Sequence, residues 1–291
     1  MHAANNIHGF EEAMRLHGLA CNEPIVADEK IHRFHVTGDK PGSRNGWYVF
    51  FGTAGSYGSW KAGEKFIWSA KGTRIADAIY EQIKIQIAKA RSDNKIELRK
   101  GHVAVAESSQ KEWFGAPPAN PKHPYLMTKC VKPHNLRQVK NRLLVPLMDF
   151  HSTLWNLQTI YANGEKRFAA GGRVGGLFSP IGMETMSDCS RLVICEGWAT
   201  GASLYEVMGE IVLCAMNAGN LVKVAQAARE HFPDAELIIA ADNDRFTPGN
   251  PGLSKAIEAA RLAQAVVMTP EFPEGVEGTD YNDAVKLGWR W

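Results

Sequence analysis

Four short, almost continuous apolar runs in the C-terminal third constrain this chain more than anything else in it. They are RLVIC, IVLCAM, ELIIAAD and AVVMTP, about 20 to 30 residues apart. Between them lie TGASLYEVMG, NLVKVAQAAREHF and LSKAIEAARLAQ, whose apolar residues recur at helical spacing. A strand with no polar face needs cover on both sides, and a helix after each strand supplies it. The pattern therefore specifies β-α-β units and a parallel sheet buried on both faces.

The chain has 291 residues, of which 45% are hydrophobic. That suggests about two domains and excludes wholesale disorder. No run of about 18 apolar residues occurs, so no membrane-spanning helix is expected. The N-terminus lacks the basic-then-apolar order of a secretory signal. The five cysteines (Cys21, Cys130, Cys189, Cys195, Cys214) are scattered and form no CxxC. Neither a disulfide framework nor a zinc ribbon is expected, and a reducing cytoplasm is the expected compartment.

The net charge of +2 hides an uneven distribution. Residues 122–173 hold about nine basic residues against two acids, whereas residues 188–291 hold about eight against fifteen. A basic middle suits a polyanion, and an acidic C-terminal part suits a metal. Two domains with differently solvated surfaces would give the same totals.

Upstream the periodicity differs. Residues 7–20 predict a short amphipathic helix. HRFHVTGD, NGWYVFFG and KFIWSA predict strands of a small antiparallel sheet, with DKPGSRNG and GTAGSYGSW as Gly-rich turns. Its aromatic load (Phe34, Trp47, Tyr48, Phe50, Phe51, Tyr57, Trp60, Phe66, Trp68) reads as the core of a small domain, with base stacking as the alternative. Ile75, Ile79, Ile83 and Ile87 predict a helix over 73–92, with its start at Thr73. Residues 93–121 are polar and end in the Pro-rich GAPPANPKHP. NRLLVPLMD, TLWNLQTIY and KRFAAGG then predict strands, with HST and ANGEK as turns. The expected division is a small N-terminal α+β domain (1–72), a helical linker (73–120), a basic β-rich subdomain (121–187) and the parallel α/β domain (188–291).

In a parallel α/β sheet, ligands bind at the C-terminal strand ends. There the sequence places Glu196-Gly197 after the first run and Asp242-Asn243-Asp244 after the third. After the fourth comes a loop ending in Asp280-Tyr281-Asn282-Asp283. Carboxylates gathered this way repel one another unless something positive lies between them. Mg²⁺ or Mn²⁺, hard cations that take carboxylate oxygens, would suit. Helix capping explains one such acid well and three together poorly.

LVICEGWATGASL and LIIAADND resemble the Toprim domain, shared by bacterial-type primases, topoisomerases and some nucleases. With HPYLMTK, NRLLVPLMD, LQTIYANGEKRFAAGGRVGGLFSPIG and GTDYNDAV, the resemblance narrows to the Toprim primases of plasmids and phages, and covers about residues 122–288. The fold implied is a Toprim parallel sheet flanked by helices, preceded by the basic subdomain and the aromatic-rich N-terminal domain. The resemblance implies that Glu196, Asp242 and Asp244 are catalytic and metal-holding, with Asp280 and Asp283 as further metal ligands or as the cap of the last helix. It assigns nucleotide and template contact to Lys129, Arg142, Lys166, Arg167, Arg173 and Lys255.

The activity implied is synthesis of short RNA primers from NTPs on single-stranded DNA, dependent on Mg²⁺ or Mn²⁺. A replicative helicase on another chain or domain is the expected partner, and no membrane is expected. Related primases commonly begin with a zinc domain. Here His32 and His35 have no cysteine partners, so no zinc is expected. No G-x-x-x-x-G-K-[ST] motif is present, so no helicase motor is expected within these residues. A Toprim nuclease and a non-catalytic single-strand-binding protein remain as alternatives. A topoisomerase fits less well, since residues for its gate domains are lacking.

Overall fold

The computed structural model describes residues 2–71, 77–183 and 189–291, with side chains from residue 5 onward. The expected helix start at Thr73, the Ile75 position and the expected domain edges near 72 and 188 lie outside the described residues. The chain forms two compact units, Met1–Leu98 and Arg99–Trp291.

In the first unit, helix α1 (His2–Leu16) is followed by strands β1 (His32–Phe34), β2 (Gly46–Phe50), β3 (Ala54–Ser59) and β4 (Glu64–Ser69). They form one antiparallel sheet in the order β1-β2-β3-β4. Side chains alternate faces along a strand, so β2 supplies two cores. Tyr48 and Phe50 pack with Phe10 and Met14 of α1. Trp47 and Val49 pack with Ile83 and Ile87 of helix α2 (Asp77–Gly115). A small sheet covered on both faces needs this aromatic load, and Trp47 and Phe50 are fully buried. Trp60 is only half-buried and stacks on Trp47 at 4.9 Å.

Two expectations are corrected here. AGSYGS is not a turn but β3, buried throughout. A Cβ on Gly58 would lie 2.1 Å from the Glu64 carbonyl oxygen and 2.9 Å from the Trp47 ring, so only glycine fits this strand against its neighbours. The helix does not end near residue 92 but continues to Gly115. Residues 93–115 look like a polar connection because most of their surface is exposed. Ala106, Ser109 and Trp113, at helical spacing, form their buried side. The two units divide inside α2, whereas the sequence places a boundary near residue 120.

The second unit continues with helix α3 (Pro124–Lys129) and a second antiparallel sheet, β5 (Arg137–Val139), β6 (Arg142–Met148), β7 (Leu154–Tyr161) and β8 (Lys166–Phe168). The parallel pattern follows: β10 (Arg191–Cys195), α4 (Trp198–Met208), β11 (Ile211–Cys214), α5 (Ala218–His231), β12 (Glu236–Ala240), α6 (Pro251–Ala263) and β13 (Val266–Met268), then α7 (Tyr281–Lys286). The sheet order is β13-β12-β10-β11-β9, parallel except for the antiparallel edge strand β9 (Ser179–Ile181). Val193, Cys195, Val212 and Ile238 face one core with Trp198 and Leu204 of α4. Leu192, Ile194, Leu213 and Leu237 face the other with Leu221 and Val224 of α5 and Ala256 of α6. This is the doubly covered parallel sheet that the apolar runs require. Among the described residues no helix is long and apolar enough to cross a membrane.

Candidate active site

β10 pairs in parallel with both β11 and β12, and Cys195 lies level with Ala240. The chain leaving β10 at Glu196 and the chain leaving β12 toward Asp242 therefore emerge side by side at the centre of the sheet. This is the strand-end position where α/β sheets bind ligands.

The Glu196 carboxylate accepts a hydrogen bond from the N–H of Ala218, at the start of α5. Burial pushes its pKa up. The Ala218 N–H opposes this, the charge of Asp244 adds to it, and Lys166 opposes it.

Asp242 is more constrained. Its Oδ1 is buried without a hydrogen-bond partner. Burial, then the charges of Glu196, Asp280 and Asp244, push its pKa up to about 8 against the pull of Lys166. Asp244 Oδ2 accepts from the Gly252 N–H at 2.9 Å. A Cβ on Gly252 would lie 2.8 Å from both the Asp242 carbonyl oxygen and Asp244 Oδ2, so this contact requires glycine. Between the two acids, Asn243 fixes the loop. Its N–H donates to the Thr279 carbonyl at 2.6 Å, and its Oδ1 accepts from Asn250 Nδ2 at 2.8 Å.

Asp280 caps α7, and Asp283 reaches back to the residue before that cap. Asp280 Oδ1 accepts from the Asp283 N–H at 2.8 Å, and Asp283 Oδ2 accepts from the Thr279 N–H at 3.2 Å. Asp280 also adds its charge to the field at Asp242.

Of the basic residues singled out in the sequence, Lys166 of β8 is the one whose charge bears on both Glu196 and Asp242. Its Nζ lies 5.7 Å from the centre of the Tyr125 ring. Tyr125, not foreseen from the sequence, is buried on α3, and burial pushes its pKa up to about 12. Lys129 follows at the end of α3, and its carbonyl accepts from Asn282 Nδ2 at 2.7 Å, tying α3 to α7. The others have separate partners. Arg142 bonds Glu112 at 3.1 Å, Arg167 bonds Glu165 at 2.6 Å, and Lys255 bonds Glu258 at 2.7 Å. Arg173 donates to the Gly175 carbonyl and lies over Trp155. In the first unit, His32 bonds Asp28 and His35 bonds the Ser43 carbonyl.

Among the described residues no three His, Cys, Asp or Glu side chains are drawn together as a ready-made metal cage. The fit to a divalent cation rests on the chemistry of the donors. They are all carboxylates, mutually repelling, and one of them carries a buried oxygen without a hydrogen-bond partner among the described residues.

Residues 191–288 match the family described as Toprim domain. The chain is 32% identical over 280 residues to a DNA primase TraC of Escherichia coli, covering 91% of this chain and 26% of that protein. A second DNA primase TraC of Escherichia coli is 32% identical over 279 residues, covering 90% of this chain and 19% of that protein. The chain thus spans about a quarter or less of the length of these curated relatives. A crystal structure of the Aquifex aeolicus primase, comprising its zinc-binding and RNA polymerase domains, aligns with a TM-score of 0.45 at 11% identity. That alignment covers 99% of this chain and 82% of that one.

Proposed function

We infer that this chain, which carries a Toprim domain over residues 191–288, is the catalytic portion of a DNA primase. It makes short RNA primers from NTPs on a single-stranded DNA template and depends on Mg²⁺ or Mn²⁺. The observation that carries this reading is the convergence of Glu196, Asp242 and Asp244 at neighbouring strand ends, with Asp242 Oδ1 unsatisfied and the charge of Lys166 acting on Glu196 and Asp242, in a chain similar over nine-tenths of its length to DNA primases.

Glu196, Asp242 and Asp244 would hold the divalent ion, and Asp280 and Asp283 would complete its surroundings while capping α7. Bound there, such an ion supplies positive charge to phosphoryl oxygens and acidifies a hydroxyl. The side chains orient the reactants. Lys166 and Lys129 face the triphosphate, Lys166 balancing the acids until phosphate arrives. Arg142, Arg167, Arg173 and Lys255 serve the template or hybrid backbone. The ion pairs of Arg142, Arg167 and Lys255 are solvent-exposed, so water and salt screen them and they exchange readily for phosphate.

Residues 121–187 act as the basic subdomain beside the metal-holding residues 188–291, and residues 1–72 act in template engagement without zinc. A replicative helicase elsewhere would deliver the strand.

The test is one incubation with single-stranded DNA, Mn²⁺ and labelled ribonucleotides. Labelled oligoribonucleotides, lost in Asp242→Asn, are expected. Shortened DNA would identify a nuclease, and a shifted band without product a binding protein.

A further inference from the structure

A cavity of about 590 Å³ opens between the loop after Asp244 and the loop before α7, lined by Phe246, Glu277, Gly278, Thr279 and Asp283. It adjoins the acids directly, because Asn243, flanked by Asp242 and Asp244, is hydrogen-bonded to Thr279. Its volume is that of a small-molecule site.

Its walls are unlike the phosphate side of the site. Two carboxylates line it, while the nearby cation, Arg245, is engaged in bracing. The Arg245 guanidinium lies over the Phe246 ring at 4.8 Å and the Phe272 ring at 4.9 Å, and it donates to the Val276 carbonyl. This holds the two loops together. Phe246 is nevertheless 67% exposed. An aromatic ring backed on one side by a cation and open on the other offers a stacking face.

We propose that this cavity receives the nucleoside end of a nucleoside triphosphate, its base stacked on Phe246 and its donor groups facing Glu277. The charge pattern selects this ligand over a nucleic-acid strand. A strand carries a negative charge at every nucleotide and would meet Glu277 and Asp283. A nucleoside triphosphate carries its charge at one end, which can lie toward Lys166, and presents a neutral, donor-bearing end to the acidic walls. The proposal rests on the primase reading only in placing the triphosphate at the Glu196–Asp242–Lys166 cluster.

The probe is the triphosphate of 2-aminopurine riboside, whose fluorescence falls on stacking, titrated with the full chain and Mg²⁺, with inorganic tripolyphosphate as competitor. In the wild type, quenching and competition by tripolyphosphate are expected. Phe246→Ala should remove the quenching and weaken binding roughly five- to 150-fold, the range for one lost base–aromatic stack. Phe246→Trp should restore both, and tripolyphosphate should bind all three proteins equally. Phe246 is exposed, so equal melting temperatures are expected.

Unchanged nucleotide binding in Phe246→Ala, with tripolyphosphate still competing, would overturn this proposal and leave the primase reading standing. So would a loss confined to a single-stranded oligonucleotide probe. Failure of the wild type to bind either nucleotide or tripolyphosphate would overturn both.

Discussion

Gly252 donates its backbone N–H to Asp244 at 2.9 Å from the first turn of α6, close enough that no side chain fits at position 252. Alanine favours a helix interior over glycine by about 1 kcal/mol, so propensity alone would make Gly252→Ala stabilising. The structure reverses that expectation for function. The new methyl must displace Asp244 or the Asp242 carbonyl, and metal-dependent synthesis should fall at least tenfold with little change in melting temperature. Steady-state synthesis beside a thermal melt checks it, and full activity would show that Asp244 need not be held there.

The raised pKa of Asp242 has a consequence for stability. The folded chain holds this proton up to about pH 8, whereas an unfolded Asp releases it near pH 4. Between these values the folded state binds the extra proton, so stability without metal should fall as pH rises, by at most about 1.4 kcal/mol per pH unit from this group. Below and above the window its contribution is flat. Glu196, also raised, adds a slope of the same sign. Asp242→Asn should flatten the dependence and raise metal-free stability near neutral pH. Urea unfolding in EDTA at several pH values measures this, and an unchanged slope in the variant would refute it. Mn²⁺ should raise the melting temperature of the wild type and much less that of the variant.

Lys166 and Arg142 separate for a structural reason. The charge of Lys166 acts on Glu196 and Asp242, whereas Arg142 already has Glu112. Lys166→Ala should weaken nucleotide binding more than Arg142→Ala does. Wherever the lost contact is to a single-strand phosphate, the salt slope should fall by roughly 0.7. Titrations at several salt concentrations distinguish the two, and equal, negligible effects would make both residues surface charges.

The parallel half was legible because strands buried on both faces leave uninterrupted apolar runs, and because Glu196, Asp242 and Asp244 stand directly after them. What the sequence hid follows from the same physics. Apart from Tyr57, β3 is built from Ala, Gly and Ser, because Trp47 and β4 press against it, and such a composition reads as a turn. The second half of α2 buries a narrow side marked by Ala106, Ser109 and Trp113, too few apolar positions to show a period. For Asp280 and Asp283 the sequence allows ligand or cap, and the structure shows the capping bonds to the Asp283 and Thr279 N–H groups, which rest on backbone geometry that the sequence does not display. Tyr125 meets Lys166 from far along the chain, and Gly252 meets Asp244 across an irregular loop, and neither contact follows a strand or helix period.

The division of labour between the two units gives the last test. Trp113 and Ala116 pack with Leu144, Leu154 and Leu157, so the second half of α2 belongs to the core of the second unit. A chain cut near residue 120 would expose that cluster, whereas one beginning at Arg99 keeps it together with the acids and Lys166. The shortened chain is expected to extend a supplied primer but to lose most de novo initiation, because template engagement is assigned to the sheet it lacks. In the full chain, Trp47→Ala should destabilise that sheet by about 3–5 kcal/mol, since Trp47 is fully buried between β3 and α2. It should depress initiation while sparing extension. The measurement compares primer extension with de novo synthesis for the three proteins, with zinc assayed on the full chain. Equal initiation by the shortened chain, or stoichiometric zinc in the intact one, would contradict the role given to the N-terminal unit.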